Sequence, residues 1–188
     1  MLTGAILAGG RSSRFGRNKA IEIFRGKRLI DWGIDSIRPF CDPILVVAND
    51  LSLYFDVHAT LVRDILSDQG PLGGIYTALL FSPHDWVFAR ATDMPFLVPE
   101  LLTTMLGMRG NFDAVVPLLD GWYEPLFALY HRRCFPLIAD VLETDERKII
   151  SFYKKIKVRE VTERRWRTVD PQGLSFKNVN TPEDLDSL

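Results

Sequence analysis

The sequence predicts an α/β fold of three layers, in which helices cover both faces of a mainly parallel sheet. Strand and helix patterns alternate along the 188-residue chain, as they do in folds built on a parallel sheet. The run from Pro43 to Ala48 is apolar at nearly every position, which is typical of a parallel strand buried on both faces. A chain of this length fits one domain, so we expect a single domain over residues 1–188.

The elements follow from the spacing of apolar residues and from the prolines. Short apolar runs indicate strands, and apolar residues at broadly helical spacing indicate helices. Pro39 ends the first helix, and Pro99 begins a later one. The expected strands are 3–7, 43–48, 59–62, 86–91, 113–118, 126–130 and 157–161, with an extended turn at 21–24. The expected helices are 29–37, 70–80, 99–108, 135–142, 147–156 and, after a cap at Thr181, 182–188.

Composition narrows the class of protein. Hydrophobic residues make up 47% of the chain and charged residues 25%, as in ordinary soluble globular proteins. The formal net charge of −1 argues against a general nucleic-acid binder. Cys41 and Cys134 belong to no Cys-x-x-Cys pair, so we expect buried free thiols rather than a zinc or redox site. Because neither a signal-peptide pattern nor a membrane-span pattern is found, we expect a cytoplasmic location and no membrane partner.

The segment from Ile6 to Ala20 is the main indication of function. An apolar run ends there in Gly9 and Gly10, which allow backbone N–H groups to approach a ligand closely. The glycine spacing fits neither the P-loop nor the Rossmann dinucleotide fingerprint. Cations crowded into one short loop repel each other unless an anion such as a triphosphate lies among them, although a solvated basic loop is the alternative. These cations are Arg11, Arg14, Arg17 and Lys19.

The pattern Leu-Ala-Gly-Gly-x-x-x-Arg-Phe-Gly-x-x-Lys, from Leu7 to Lys19, resembles the signature loop of nucleotidyltransferases that activate small molecules with a nucleoside triphosphate. With Asp93-Met94-Pro95 and the tail from Asn178 to Leu185, it resembles the molybdenum cofactor guanylyltransferases over residues 4–188. The resemblance implies a Rossmann-like sheet of the nucleotide-diphospho-sugar-transferase type. It also implies transfer of GMP from GTP to molybdopterin, with Mg²⁺ as cofactor and with molybdenum-insertion proteins and molybdoenzyme chaperones as transient partners. We expect a monomer.

Asp93 is the residue to which we assign the metal. It follows a predicted strand directly, and Mg²⁺ bound to a triphosphate typically takes one or two carboxylates plus phosphate oxygens. An N-cap role is the alternative, but the helix near Pro99 begins several residues too late. Arg14 and Lys19 are expected to bind phosphate oxygens and to offset charge on the leaving pyrophosphate, so Arg14, Lys19 and Asp93 form the predicted catalytic set.

The remaining nucleotide contacts lie in loops that follow predicted strands and therefore share one edge of the sheet. The resemblance assigns nucleotide binding to Leu7, Ala8, Gly9 and Lys19, and we add Gly10. Asp64 could accept hydrogen bonds from guanine N1–H and the 2-amino group, and the loop beginning at Gly70 and Pro71 could pack on the base. That loop could also be only a turn and helix start, and Asn49 could be either a nucleotide contact or a turn residue.

The side of the second substrate is less well defined by the sequence. The resemblance places the tail amides Asn178 and Asn180 beside the active site. Other candidates are Arg147-Lys148, the loop 123–126, and the basic stretch 154–167, which could equally be a solvated face.

A related enzyme using CTP or another nucleotide on a pterin or sugar-phosphate acceptor is the alternative function. Gly9-Gly10 and the Gly-Pro-Leu-x-Gly loop are similar to the guanine branch, whereas the cytosine branch more often has a second alanine in the signature loop. A non-catalytic nucleotide-binding domain is disfavoured by the presence of Lys19 and Asp93.

Overall fold

The structure is a computed structural model that describes residues 1–9, 18–66, 69–144, 149–179 and 184. Within these ranges, short 3-10 helices at Lys19–Ile21, Ser52–Tyr54, Ile149–Lys155 and Leu174–Phe176 join the strands and α-helices. The strands are β1 (Thr3–Leu7), β2 (Ile23–Phe24), β3 (Lys27–Arg28), β4 (Ile44–Ala48), β5 (Thr60–Arg63), β6 (Trp86–Ala91), β7 (Ala114–Leu119), β8 (Trp122–Tyr123), β9 (Phe127–His131) and β10 (Val158–Val161). The α-helices are α1 (Leu29–Ile37), α2 (Gly70–Phe81), α3 (Pro99–Gly107), α4 (Cys134–Leu142) and α5 (Glu163–Trp166).

Eight strands form the central sheet, in the order β10, β7, β9, β6, β1, β4, β5, with β8 paired to β7. The pairs of β1 with β4 and β6, of β4 with β5 and of β7 with β10 are parallel. Strand β9 runs antiparallel to β6 and β7, so β6 and β7 point the same way. Consequently the carboxyl ends of β1, β4, β5, β6, β7 and β10 lie at one edge, together with the amino end of β9.

Both faces of the sheet are covered by helices. Along β6, Phe88 packs into one core layer and Ala89 into the other, because successive side chains of a strand point to opposite faces. The layer around Phe88 includes residues of α1, α3 and α5, and the layer around Ala89 includes residues of α2 and α4. The predicted three-layer, mainly parallel architecture is confirmed, with β9 as the antiparallel exception.

Most element boundaries agree with the sequence prediction, but the α-helix predicted at 147–156 is wrong. The described part of that segment is a 3-10 helix, Ile149–Lys155. Its β-branched and aromatic residues are poor α-helix formers. In addition, the Tyr153 hydroxyl lies 2.6 Å from the Tyr130 hydroxyl, which fixes this segment against β9. The sequence prediction also missed β8 and α5. The predicted helix 182–188 lies outside the described residues apart from Asp184.

Two smaller predictions concern the cysteines and membranes. Cys41 and Cys134 are buried and free, as expected. In both, burial raises the pKa of the thiol to about 12. Among the described residues, no helix is both long enough and apolar enough to cross a membrane.

Candidate active site

The loops after β1 and β6 meet at the carboxyl edge of the sheet. The backbone N–H of Ala8 donates to the carbonyl of Val47 at 2.9 Å, so the chain stays hydrogen-bonded to the sheet through Ala8. The Thr92 hydroxyl donates to the carbonyl of Leu7 at 2.9 Å. This hydrogen bond joins the loop after β6 to the loop after β1, and Gly9 follows as an exposed residue at the edge.

Lys19 and Asp93 form an ion pair at this edge. The Lys19 Nζ lies 3.2 Å from the Asp93 Oδ2, although the two residues are 74 positions apart in the chain. The Lys19 side chain is 14% exposed and the Asp93 side chain 32% exposed. The pair is therefore mostly buried, but a ligand can still contact it from the solvent side. Charges in such a setting interact more strongly than in bulk water. The pair therefore places an ammonium group suited to phosphate beside a carboxylate suited to a divalent cation.

The backbone of Lys19 is fixed by its neighbour Asn18. The Asn18 Oδ1 accepts a hydrogen bond from the Ala20 N–H at 2.9 Å and thereby caps the 3-10 helix that begins at Lys19. The Asn18 Nδ2 donates to the hydroxyl of the buried Tyr54 at 2.8 Å. Because these two bonds fix the backbone at Lys19, its ammonium group lies at a defined position.

The backbone of Asp93 is held by the C-terminal segment. The Val179 N–H donates to the Asp93 carbonyl at 2.8 Å, and the Val179 side chain is buried with Phe24 and Leu29. This contact brings the exposed neighbour Asn178 close to Asp93. Asp93 does not cap α3, because the N-cap of that helix is Val98.

Asp64 lies at the same edge, after β5, but part of its side chain is already engaged. The Asp64 Oδ1 accepts from the Thr77 hydroxyl at 2.8 Å and from the Leu66 N–H at 3.1 Å. These bonds tie the loop after β5 to α2. A guanine base would therefore have to use the Asp64 Oδ2, or share Oδ1.

Asn49 and the start of α2 complete this side of the edge. A Cβ built on Gly9 would lie 3.9 Å from the Asn49 Nδ2, so these two predicted residues are neighbours. Gly70 has a φ of +63° and opens α2, with Pro71 in the first turn. Both are exposed. The prediction that Gly70 begins a helix is confirmed, while a contact with the base stays a prediction.

The other side of the edge is formed by the β7–β8 hairpin and the chain entering β9. Leu119 pairs with Trp122, and the turn between them is made by Asp120 and Gly121, both with positive φ. Trp122 is 76% exposed. The adjacent Tyr123 hydroxyl donates to Glu160 at 2.6 Å, which fixes the hairpin to β10.

The chain matches a known protein family over most of its length. The family model of the MobA-like NTP transferase domain matches residues 4–159. The chain belongs to this family. A molybdenum cofactor guanylyltransferase from Desulfosudis oleivorans is 39% identical over 187 residues, covering 98% of this chain and 93% of that protein. A probable molybdenum cofactor guanylyltransferase from Natranaerobius thermophilus is 36% identical over 191 residues, with the same coverage of 98% and 93%.

A solved structure agrees with these relatives. The crystal structure of molybdopterin-guanine dinucleotide biosynthesis protein A from Archaeoglobus fulgidus has a TM-score of 0.86 and 29% identity, covering 98% of this chain and 95% of that chain. The predicted family and fold class are thus confirmed, and this MobA-like NTP transferase is an enzyme of the nucleotidyltransferase class.

Most of the predicted site residues of this MobA-like NTP transferase lie in the part of the chain that the structure describes. Those that the structure describes lie at the carboxyl edge of the sheet or in segments packed against it, although their roles stay predictions. They are Leu7, Ala8, Gly9, Lys19, Asn49, Asp64, Gly70, Pro71, Asp93 and Asn178. Gly10, Arg11, Arg14, Arg17, Arg147, Lys148 and Asn180 lie outside the described residues.

Glu124 lies in the loop 123–126, which the sequence makes a candidate for the side of the second substrate. The Ala91 N–H donates to the Leu126 carbonyl at 2.9 Å, which continues the β6–β9 register and brings Glu124 alongside Asp93. Burial raises the pKa of the Glu124 carboxyl, and the charge of Asp93 raises it further. Its closeness to Asp93 depends on the pairing of β6 with β9, which a single sequence does not show.

The donor set is suited to a metal that arrives with a nucleotide. Within the described ranges, no group of three His, Cys, Asp or Glu side chains is placed to hold an ion alone. A single carboxylate, Asp93, is nevertheless sufficient for Mg²⁺, which dehydrates reluctantly and completes its shell with water and substrate phosphate oxygens. The residues at this edge therefore fit such a cation.

Proposed function

We propose that the chain transfers GMP from GTP to molybdopterin, giving molybdopterin guanine dinucleotide and pyrophosphate. The observation that carries this proposal is the Lys19–Asp93 pair, 3.2 Å apart at the edge where the loops after β1 and β6 meet. The names of the relatives from Desulfosudis and Archaeoglobus support the choice of substrates. The one eight-stranded sheet supports a single domain over residues 1–188.

In the reaction, an oxygen of the terminal phosphate of molybdopterin forms a bond to the α-phosphorus of GTP. The bond that breaks joins this phosphorus to the oxygen between the α- and β-phosphates. The electron pair of the broken bond leaves with pyrophosphate. Because the attacking phosphate is already an anion, the protein has to position the reactants and neutralise charge rather than remove a proton. Lys19 supplies a point charge for the phosphate oxygens, and the backbone around Gly9 allows close approach. Arg14 remains a predicted second phosphate ligand.

Mg²⁺ is the cation we propose for this site, with Asp93 as its protein ligand. When bound, it would offset the negative charge on the phosphate oxygens during transfer. Asp93 can hold a cation in a fixed place because its own backbone carbonyl is bound by Val179 and the adjacent Thr92 is bound to Leu7.

The two substrates would take opposite sides of Asp93. We assign GTP to the side of β1, β4, β5 and α2, where Gly9, Asn49 and Asp64 lie. We assign the pterin to the side of β9, β7 and β10, where Trp122 offers an exposed flat ring. Asn178, whose neighbour Val179 binds the Asp93 carbonyl, stays a predicted contact of this substrate. A monomeric state, a cytoplasmic location and transfer of the product to molybdenum-insertion proteins or molybdoenzyme chaperones stay predictions.

Pyrophosphate release tests this function. With Mg²⁺ and GTP present, we expect release only when molybdopterin is added, with one dinucleotide formed per pyrophosphate. Pyrophosphate release that does not depend on the pterin, or none at all with it, would contradict the proposal. A product formed efficiently from CTP instead would support the alternative nucleotide while keeping nucleotidyl transfer.

A further inference from the structure

Arg90 is a charged side chain that the proposed reaction leaves unexplained. It lies on β6, three positions before Asp93, and is 0% exposed. In the part of the chain that the structure describes, no other charged residue is buried to this degree. The nearest case, Asp170, is 2% exposed and accepts hydrogen bonds from the N–H groups of Leu174 and Ser175 at 2.8 and 2.9 Å.

The guanidinium of Arg90 bridges two elements on one face of the sheet. Its Nη1 donates to the Ser36 hydroxyl of α1 at 2.7 Å, and its Nη2 donates to the Phe96 carbonyl at 2.9 Å. The guanidinium carbon lies 5.8 Å from the centroid of the Phe127 ring. Among the described residues, its Nε has no hydrogen-bond partner.

The charge of Arg90 is poorly compensated. Burial lowers the pKa of the guanidinium to about 9, and the negative charges that oppose this shift are those of Cys41 and Asp93. Because burial raises the pKa of the Cys41 thiol to about 12, that group is uncharged near neutral pH. Asp93 is thus the described anion that acts on Arg90. A buried ion with so few partners is unfavourable for stability, so a role in the site is the better explanation.

The loop from Asp93 to Phe96 is fixed at both ends. At its start, the Asp93 carbonyl accepts from the Val179 N–H at 2.8 Å. At its end, the Phe96 ring packs on Phe24 and Trp32, with centroids 5.8 and 6.3 Å away. Arg90 binds the same end from inside the core, through the Phe96 carbonyl. This bond links the end of the loop directly to β6, the strand that leads into Asp93.

We propose that Arg90 is a positioning residue that holds the Asp93–Phe96 loop so that the Asp93 carboxylate is set for its divalent cation. The proposal rests on the proposed function, because that function gives Asp93 the cation. Arg90 contacts neither substrate in this account. Its effect passes through the Phe96 carbonyl and through its charge beneath the loop.

The first test is the dependence of turnover on Mg²⁺ in Arg90→Met, with Ser36→Ala as the matched control. Methionine fills a similar volume with a flexible apolar chain, so this variant removes the guanidinium and its bonds to Ser36 and Phe96 while keeping the core filled. We expect the Mg²⁺ concentration for half-maximal turnover to rise roughly 10- to 100-fold and kcat to fall, as for residues that orient a metal ligand. The KM for GTP should change less. Ser36→Ala leaves the bond to Phe96 intact and should keep the Mg²⁺ dependence of the unmodified protein.

The second test is amide hydrogen exchange, which does not require an active enzyme. The Val179 amide reports on the Asp93 carbonyl, and the Ala8 amide, bonded to Val47, reports on the sheet. In Arg90→Met we expect exchange at Val179 to accelerate relative to Ala8. Equal acceleration at both amides, or unchanged exchange together with unchanged Mg²⁺ dependence, would overturn the proposal.

If Arg90→Met does not fold, the same two measurements are made on Arg90→Lys. Lysine keeps the charge but lacks the fork that reaches both Ser36 and Phe96, so we expect the same defects to a smaller extent. Normal Mg²⁺ dependence and normal Val179 exchange in Arg90→Lys would overturn the proposal. If the unmodified protein transfers no nucleotide from GTP, the proposed function fails, while the exchange comparison still decides whether Arg90 holds the loop.

Discussion

At the scale of single residues, Lys19 carries the most specific kinetic expectation. Its ammonium group lies beside Asp93 on a capped backbone, so its loss removes one preorganised charge without disturbing the core. We expect Lys19→Ala to lower the rate of pyrophosphate release roughly 10²–10³-fold, as when one preorganised donor is removed, with partial rescue in Lys19→Arg. Lys27→Ala, which removes a partly exposed lysine paired with Asp35, should keep normal turnover. If Lys19→Ala had no effect on the rate, the loop from Gly9 to Lys19 would instead be a solvated basic loop without a catalytic role.

Asp93 is the second residue with a direct test. Asn has the shape of Asp but lacks the charge that a hard cation requires, so Asp93→Asn should abolish Mg²⁺-dependent turnover while the protein stays folded. The control is Asp85→Asn, a 64% exposed carboxylate just before the start of β6 that pairs with Arg132. Near-normal turnover by a folded Asp93→Asn protein would show that the metal ligand lies elsewhere.

How far the sequence predicts these residues depends on what fixes them. The place of Asp93 at the edge of the sheet could be predicted because it directly follows an apolar strand, and that of Lys19 because it ends a short cationic loop, while their roles stay predictions. Arg90 could not, because an arginine within the apolar run of β6 gives no sign of its burial or its partners. Those partners, Ser36 and Phe96, are 54 and 6 positions away and meet it only through packing.

At the scale of elements, the start of α2 shows why glycine occupies particular positions. A Cβ built on Gly73 would lie 2.9 Å from the backbone oxygen of Leu66, whereas nothing lies within 4 Å of one built on Gly107 in α3. We expect Gly73→Ala to destabilise the protein by about 1–3 kcal/mol through overpacking. Gly107→Ala should be neutral or stabilising by up to about 1 kcal/mol. Urea denaturation midpoints measure both, and equal midpoints would contradict the packing described for α2.

The β7–β8 hairpin gives a prediction for the second substrate. Because Trp122 is 76% exposed, Trp122→Ala should leave stability nearly unchanged. If its ring stacks on the pterin, the KM for molybdopterin should rise about tenfold, since stacking of an aromatic base on a side chain is worth roughly 1–3 kcal/mol. Phe81→Ala, at the far end of α2 and 50% exposed, is the control. An unchanged KM for the pterin in Trp122→Ala would place the acceptor on another surface.

Strands and helices could be predicted where the spacing of apolar residues fits only one type of secondary structure. Strands β1 and β6 and helix α1 have the predicted bounds, because their apolar runs are bounded by turn residues. The segment Ile149–Lys155 was not predicted correctly, since its apolar spacing also fits a 3-10 helix and the choice depends on contacts such as Tyr153 with Tyr130. Strand β8 has two residues and depends on pairing with β7.

At the scale of the whole molecule, the sheet order shows how one edge could serve the two proposed substrates. Strand β6 lies between the parallel strands β1, β4 and β5 on one side and β9, β7 and β10 on the other. Asp93, at the end of β6, therefore lies between the proposed nucleotide side and the proposed pterin side. The alternation of strands and helices predicted the parallel part of this order. The antiparallel insertion of β9 depends on long-range pairing that local pattern does not determine.

The choice of nucleotide tests the central claim most directly. Guanine offers two adjacent donors, N1–H and the 2-amino group, to a carboxylate. Cytosine offers one amino donor beside the acceptor N3, which Asp64 would repel. A site built for hydrogen bonds discriminates strongly against a mismatched partner. The measurement is a competition between equal concentrations of GTP and CTP with Mg²⁺ and limiting molybdopterin, in which both dinucleotide products are quantified. Asp64→Ala should lose much of the selectivity. Thr77→Val removes only the hydroxyl bonded to Asp64 and should keep it. We predict that the guanine dinucleotide is by far the major product of the unmodified protein, and equal or greater formation of the cytosine dinucleotide would contradict the guanylyltransferase function.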